Sequence, residues 1–338
     1  MTDNSKKQLA ADNSKKQVIT DNSKKRPRGV VTIGETMGLL TPAAPGPLHR
    51  GAGLRLSIAG AESNVAIGVR RLGEPATWIG RVGQDDIGDL VLRELRAEDL
   101  TLHAIRDPAP TGLMLKTARA AGVTRVSYYR TGSAGSRLRP GDLDEGAIAA
   151  AGVLHVTGIT PALGTGPAAA IRSAIEVATS NKVLVSLDVN YRSALWGLAE
   201  ASVVLRDLVR HVDIVFAGEQ EAALLAEPGE PAAMARQVAG LGPSQVLIKR
   251  GHRGCVAWID AAAREQPAIP VRAVDPVGAG DAFVAGYLAE LLAGQPAEVR
   301  LATAAAAGAF TVTVSGDWEG LPTRPDLDLL DAPDDVIR

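Results

Sequence analysis

From residue 30 onward the chain alternates short apolar runs with longer stretches in which apolar residues recur every three or four positions. The runs at 30–34, 76–80, 153–156, 183–188, 213–216, 245–249 and 254–259 have the length and bounding turn residues of strands. Between and after them a period near 3.6 predicts helices at 61–72, 86–98, 167–179, 199–209, 219–225, 232–241 and 282–292. Successive strands joined through helices pair in parallel, because a parallel pair needs a long crossover. The expected fold is therefore α/β: a doubly wound, mostly parallel central sheet with helices on both faces.

Two regions break that rhythm. Residues 54–58, 113–117 and 123–129 alternate apolar and polar positions, as half-exposed strands do, and 120–122 reads as a turn between the last two. About four such strands predict a small antiparallel β lid, inserted in the core from about 38–58 and 111–130.

Composition narrows the picture. Of 338 residues 46% are hydrophobic and only 3% aromatic, so the core is built mainly from Ala, Val, Leu and Ile. The single cysteine, Cys255, cannot form an internal disulfide, which points to the reducing cytoplasm. No run of about 18 apolar residues predicts a membrane span. Residues 1–28 repeat Asp-Asn-Ser-Lys-Lys three times and hold six of the nine lysines, for a net charge of +5, leaving −7 on the rest. This polar repeat has no apolar face to bury and is read as a disordered tail. The acidic remainder offers no footprint for nucleic acid.

Asp275-Pro276-Val277-Gly278-Ala279-Gly280-Asp281 carries the most chemistry. Small residues opening a helix leave the amides of Gly278, Ala279 and Gly280 free at the positive end of the helix dipole, which makes an anion hole. A carboxylate beside an anion hole repels phosphate, so Asp281 is placed to take a proton from an attacking group. A second helix start, Gly60-Ala61-Glu62-Ser63-Asn64, can hydrogen-bond hydroxyls, although a capped helix with a solvated Asn64 fits that stretch equally well. Arg130 ends a lid strand and Arg192 follows a core strand, and two such guanidinium groups in one pocket bind a carboxylate. Lys249 and Gly251 end a strand at the sheet edge where α/β ligands bind.

The string from Asp275 to Asp281, with Phe283 and Gly286-Tyr287, resembles the C-terminal hallmark of ribokinase-like sugar kinases of the phosphofructokinase-B type. The segments Tyr128-Tyr129-Arg130-Thr131-Gly132, Ser186 to Trp196 and Ser315 to Gly320 resemble the 2-keto-3-deoxygluconate kinases of that family. The resemblance covers about residues 30–330 and implies one kinase domain at 29–338. It implies ATP-dependent phosphorylation of 2-keto-3-deoxy-D-gluconate at its terminal hydroxyl, with another sugar kinase or an idle sugar-binding protein as alternatives. On it, Asp281 is the catalytic base, and Gly60, Asn64, Tyr128, Arg130 and Arg192 join Asp281 in holding an acid sugar. Lys249, Gly251, Gly278 and Gly280 contact ATP. Glu221 acts on Mg²⁺ through water, with Glu219 as the alternative, a monovalent cation stays open, and the lid pairs subunits in a homo-oligomer. Two departures stand out: Met114 where an aromatic is usual, and Gly218 where the family carries Asn.

Overall fold

The computed structural model describes residues 29–44, 46–120 and 123–331. The tail read at 1–28 and positions 121–122 of the predicted turn lie outside the described residues.

The central sheet contains β1 (Val30–Ile33), β4 (Ala76–Gly83), β5 (Thr101–Asp107), β8 (Val153–Thr157), β9 (Leu184–Asp188), β10 (Ile214–Gly218), β11 (Gln245–Lys249), β12 (Cys255–Ile259) and β13 (Ala262–Gln266). Their order is β13-β12-β11-β10-β9-β8-β1-β4-β5. All neighbours from β11 to β5 are parallel, and β12 and β13 add an antiparallel edge. The predicted doubly wound class is observed. Neither β5 nor β13 was predicted, because edge strands keep polar residues that blunt further pairing and so show no apolar run.

Helices α1 (Ala61–Arg71), α2 (Asp86–Ala97), α8 (Ala279–Leu292), α9 (Ala297–Thr311) and the short α10 (Arg324–Leu327) belong with α3 (Glu145–Ala149), α4 (Thr165–Ser180), α5 (Leu198–Val209), α6 (Glu219–Ala222) and α7 (Pro231–Ala239) in the helical layers. One core joins α1, α2, α8 and α9 to the sheet through Val65, Ile67, Leu95, Phe216, Tyr287 and Leu301. The other joins α4, α5 and α7 through Ile33, Ile171, Leu205, Val238 and Val246. Each sheet face thus has its own core, as continuous apolar strands require. No helix among the described residues is long and apolar enough to cross a membrane.

Helix α8 is buried along nearly its whole length, which explains its apolar composition on every side. A Cβ at Gly286 would lie 2.9 Å from Ala304 Cα in α9, and one at Gly68 of α1 would lie 2.6 Å from Ala285 Cβ. These close approaches clamp α8 between two helices. The alanines 304 and 307 serve this packing.

The lid is a second sheet of β2 (Met37–Pro42), β3 (Leu54–Ala59), β6 (Leu113–Ala120) and β7 (Val123–Tyr129), in the order β3-β2-β6-β7. Its outer pairs are antiparallel, but β2 and β6 at its centre are parallel. The expected small antiparallel β lid is observed, with one parallel pair at its centre: β2 follows β1 and β6 follows β5, so both leave parallel core strands at the same end and travel the same way. The inner lid face buries Met37, Leu39, Ala59 and Met114.

Candidate active site

The carboxyl ends of the parallel strands share one edge, and the segments just beyond them carry Glu35, Arg192, Glu221 and Gly251. That edge is where an open α/β sheet holds its ligands. Above it sits the N-terminus of α8. Gly278 caps this helix at φ 81°, a left-handed conformation suited to glycine, and a Cβ there would meet the Asp317 carbonyl oxygen at 2.0 Å. The loop carrying Asp317 therefore rests on the anion hole. The first helical amides, through Gly278, Ala279, Gly280 and Asp281, have no acceptor within the helix and point to one spot.

Asp281 lies in the first turn of α8. Asn64, in the first turn of α1, donates from Nδ2 to Asp281 Oδ2 at 2.8 Å and to Asp317 Oδ2 at 3.0 Å. One amide group thus bridges two carboxylates, and the second of them was not assigned from sequence. Burial, then the neighbouring Asp317, raises the Asp281 pKa from 3.8 to about 7, against the Asn64 hydrogen bond and the Lys249 charge. Burial also raises the Asp317 carboxyl, with Asn64 and Lys116 opposing. A carboxylate tuned near neutrality beside an anion hole is suited to general-base work.

On the other side of the α8 N-terminus, Lys249 Nζ donates to Asp188 Oδ2 at 2.7 Å. Burial works against the ammonium, but Asp188, Glu221 and Asp281 outweigh it and hold the lysine above its ordinary pKa. A Cβ at Gly280 would lie 3.5 Å from Nζ, so Lys249 stands beside the anion hole. Gly251, at φ 57° in the turn after β11, is exposed with open space around it. Glu221 accepts the Gly218 amide at 2.6 Å on one oxygen and the Tyr191 amide at 2.9 Å on the other. A Cβ at Gly218 would lie 3.4 Å from Glu221 Oε2, an ordinary contact, so this backbone cap does not depend on a glycine there.

The sugar-side expectations converge. One cleft under the lid is lined by Gly60, Asn64, Tyr128, Arg130, Arg192 and Asp281, together with Met114, Lys116, Glu35, Glu62 and Asp317. The two arginines differ, however. Arg130 reaches Glu35 Oε2 with Nε at 2.7 Å and Nη2 at 2.5 Å, and Ser133 donates to the other Glu35 oxygen. Glu35 is 3% exposed and would be stranded without that partner. The guanidinium of Arg130 also lies 5.7 Å from the centre of the Tyr128 ring. Arg192 makes only a 3.4 Å contact to the Tyr191 carbonyl and has no carboxylate partner among the described residues. Both arginines line the cleft, but Arg130 is ion-paired with Glu35, whereas Arg192 is in no ion pair among the described residues and its charge acts on Asp317 only from a distance. Gly60 brings α1 close, since a Cβ would lie 2.6 Å from the Glu35 carbonyl oxygen. Beneath the cleft, Glu62 accepts hydrogen bonds from Thr157 at 2.6 Å and Thr160 at 2.8 Å, and burial raises its pKa.

Glu35, Lys116, Asp188 and Asp317 went unassigned from sequence. Asp188 and Asp317 lie inside the strings that carried the resemblance. Lys116 and Lys249 are two of the three lysines outside the tail, and both sit in ion pairs at this site, that of Lys116 buried and that of Lys249 partly buried.

Residues 27–324 match the family model described as pfkB family carbohydrate kinase. A 2-dehydro-3-deoxygluconokinase of Bacillus subtilis is 35% identical over 305 residues, 88% of this chain and 93% of the relative. A 2-dehydro-3-deoxygalactonokinase of Haloferax volcanii is 34% identical over 293 residues, 85% of this chain and 92% of the relative. Among solved structures, a putative ribokinase II of E. coli in complex with ATP and Mg²⁺ superposes at a TM-score of 0.83 with 25% identity, covering 90% of this chain and 98% of that one. With Asp281 at the head of α8, the anion hole beside it and a lid over the cleft, the chain belongs to the pfkB family of carbohydrate kinases.

Proposed function

We propose that this kinase transfers the γ-phosphoryl group of ATP to the terminal hydroxyl of 2-keto-3-deoxy-D-gluconate. The observation that carries the acid-sugar reading is Arg192, a cation without a carboxylate partner among the described residues, in the cleft that ends at Asp281. The names of the two sequence relatives support it, and because they differ in sugar, the 2-keto-3-deoxygalactonate epimer is the second reading. Phosphorus NMR of the product tests it: a phosphate monoester on the terminal carbon is expected, and phosphate at any other position overturns it.

In this reading Arg192 pairs with the substrate carboxylate, while Arg130, neutralised by Glu35, and Tyr128 contribute hydrogen bonds and packing. Asn64 and Gly60 position the sugar hydroxyls. Asp281 takes the proton from the attacking hydroxyl, and the amides of Gly278, Ala279 and Gly280, with Lys249, meet the charge on the transferred group. Gly251 borders the nucleotide. Mg²⁺ binds through one or two carboxylates plus phosphate oxygens, and when bound it neutralises phosphate charge. The residues present fit it. Asp188 is buried and its Oδ1 has no hydrogen-bond partner, and Glu221 is held in place by two amides. These two groups would hold the ion, Glu221 through water. The cytoplasm, with its ATP, is the place this activity implies.

The lid also presents an outer apolar face. Leu54 and Leu56 of β3 are 46% and 48% exposed and Tyr129 of β7 is 64% exposed, and Leu40 lies in register with Leu56. Short strands with an uncovered apolar face are marginal, so the lid pairs two subunits. Light scattering at micromolar concentration should give the mass of a dimer, and Leu56→Lys should shift it to a monomer. A monomeric wild type would remove this proposal.

A further inference from the structure

Lys116 reaches from the inner face of the lid across to the catalytic loops. Its Nζ lies 2.5 Å from Asp275 Oδ2 and 3.0 Å from the Gly316 carbonyl oxygen. The pair is enclosed, with side-chain exposures of 8% and 10%. Asp275 in turn accepts the Val277 amide at 3.2 Å and the Gly316 amide at 3.3 Å, which ties the loop entering the anion hole to the loop carrying Asp317. That loop contacts the Gly278 cap directly. A second lid residue, Ser57, donates at 2.7 Å to Glu319, which itself accepts the Asp317 amide at 2.8 Å. Lid, anion-hole loop and Asp317 loop therefore meet at one ammonium group.

A carboxylate and a peptide carbonyl converging on a compact positive charge are oxygen ligands of the kind that hold a monovalent cation. Here the protein fills that position itself, so a free cation does not fit there. A lysine ammonium is a point charge of comparable reach, delivered by a flexible stem. Because the stem belongs to β6, it is the lid that delivers this charge. We propose that Lys116 is a positioning residue that acts as a tethered monovalent cation: it locks the 275–278 and 315–319 loops when the lid closes and makes turnover independent of potassium or sodium.

The inference rests on the kinase reading, and the test separates the two by measuring stability as well as turnover. Wild-type enzyme and Lys116→Met are compared in choline buffer and with added K⁺, Na⁺ or NH₄⁺. Wild-type turnover and melting temperature should be the same in all four. Lys116→Met should lose about tenfold or more in kcat in choline, with KM for ATP changed by less than about twofold, because displaced loops misalign the reacting groups without removing nucleotide contacts. Potassium or ammonium should then restore several-fold of that loss saturably and raise the melting temperature of the variant. Severalfold activation or thermal stabilisation of the wild type by potassium would overturn the proposal. So would a Lys116→Met enzyme that keeps its full kcat in choline, or one that neither gains activity nor melts higher with any cation. The wild-type melting series needs neither turnover nor a variant, so the inference is tested even if the sugar assignment fails.

Discussion

Replacing Asp281 by Asn is expected to lower kcat by about 10²- to 10⁴-fold, the usual contribution of a general base. The amide keeps the shape of the side chain and an oxygen to accept from Asn64, so the fold and ATP binding should persist. A second consequence follows from the pKa of about 7 that burial and Asp317 impose on Asp281. The free enzyme needs this group ionised, so wild-type kcat/KM for the sugar should rise with pH through about 7 and level off above it. The stability effect has the opposite sign. A carboxyl whose native pKa exceeds its unfolded pKa keeps its proton in the native state, so stability falls as pH rises between the ordinary carboxylate range and about 7. Asp281→Asn removes that fall, and its melting temperature relative to wild type should be higher at pH 8 than at pH 5. Retention of more than about a tenth of wild-type kcat by the variant would remove Asp281 from the role of base.

Arg192→Ala carries the second large effect. Removing one partner of a partly desolvated charge pair costs on the order of 2–4 kcal/mol, or roughly 30- to 1000-fold in kcat/KM. The loss should fall on acid sugars and spare neutral ones, with KM for ATP little changed. Arg130→Ala should behave differently, because it leaves Glu35 buried and unpaired. Breaking a buried pair in this way destabilises by about 3–5 kcal/mol. Its signature is a lowered melting temperature and equal weakening of acid and neutral sugars. Selective loss of acid sugars in Arg130→Ala, with Arg192→Ala unaffected, would exchange the roles of the two arginines.

Much of this arrangement is legible in the sequence. The parallel strands buried on both faces announce themselves as continuous apolar runs, and the helix opening after Gly278 follows from its small residues and the apolar stretch behind them. The six residues assigned to the sugar do line one cleft. What remained hidden depends on long-range pairing. Glu35 and Arg130 are 95 positions apart, and Lys116 and Asp275 are 159 apart, so no local pattern shows that each charge has a partner. The parallel contact at the centre of the lid is likewise a property of where the two insertions leave the core. The edge strands β5 and β13 escaped because their polar residues, which guard against aggregation, also erase the apolar signature.

The most direct test of the account is ADP release by the wild-type enzyme with ATP and Mg²⁺ over a panel of acid and neutral sugars. The highest kcat/KM is expected for 2-keto-3-deoxygluconate or its 2-keto-3-deoxygalactonate epimer, well above fructose and ribose. Equal or greater efficiency with a neutral sugar would contradict the carboxylate role of Arg192.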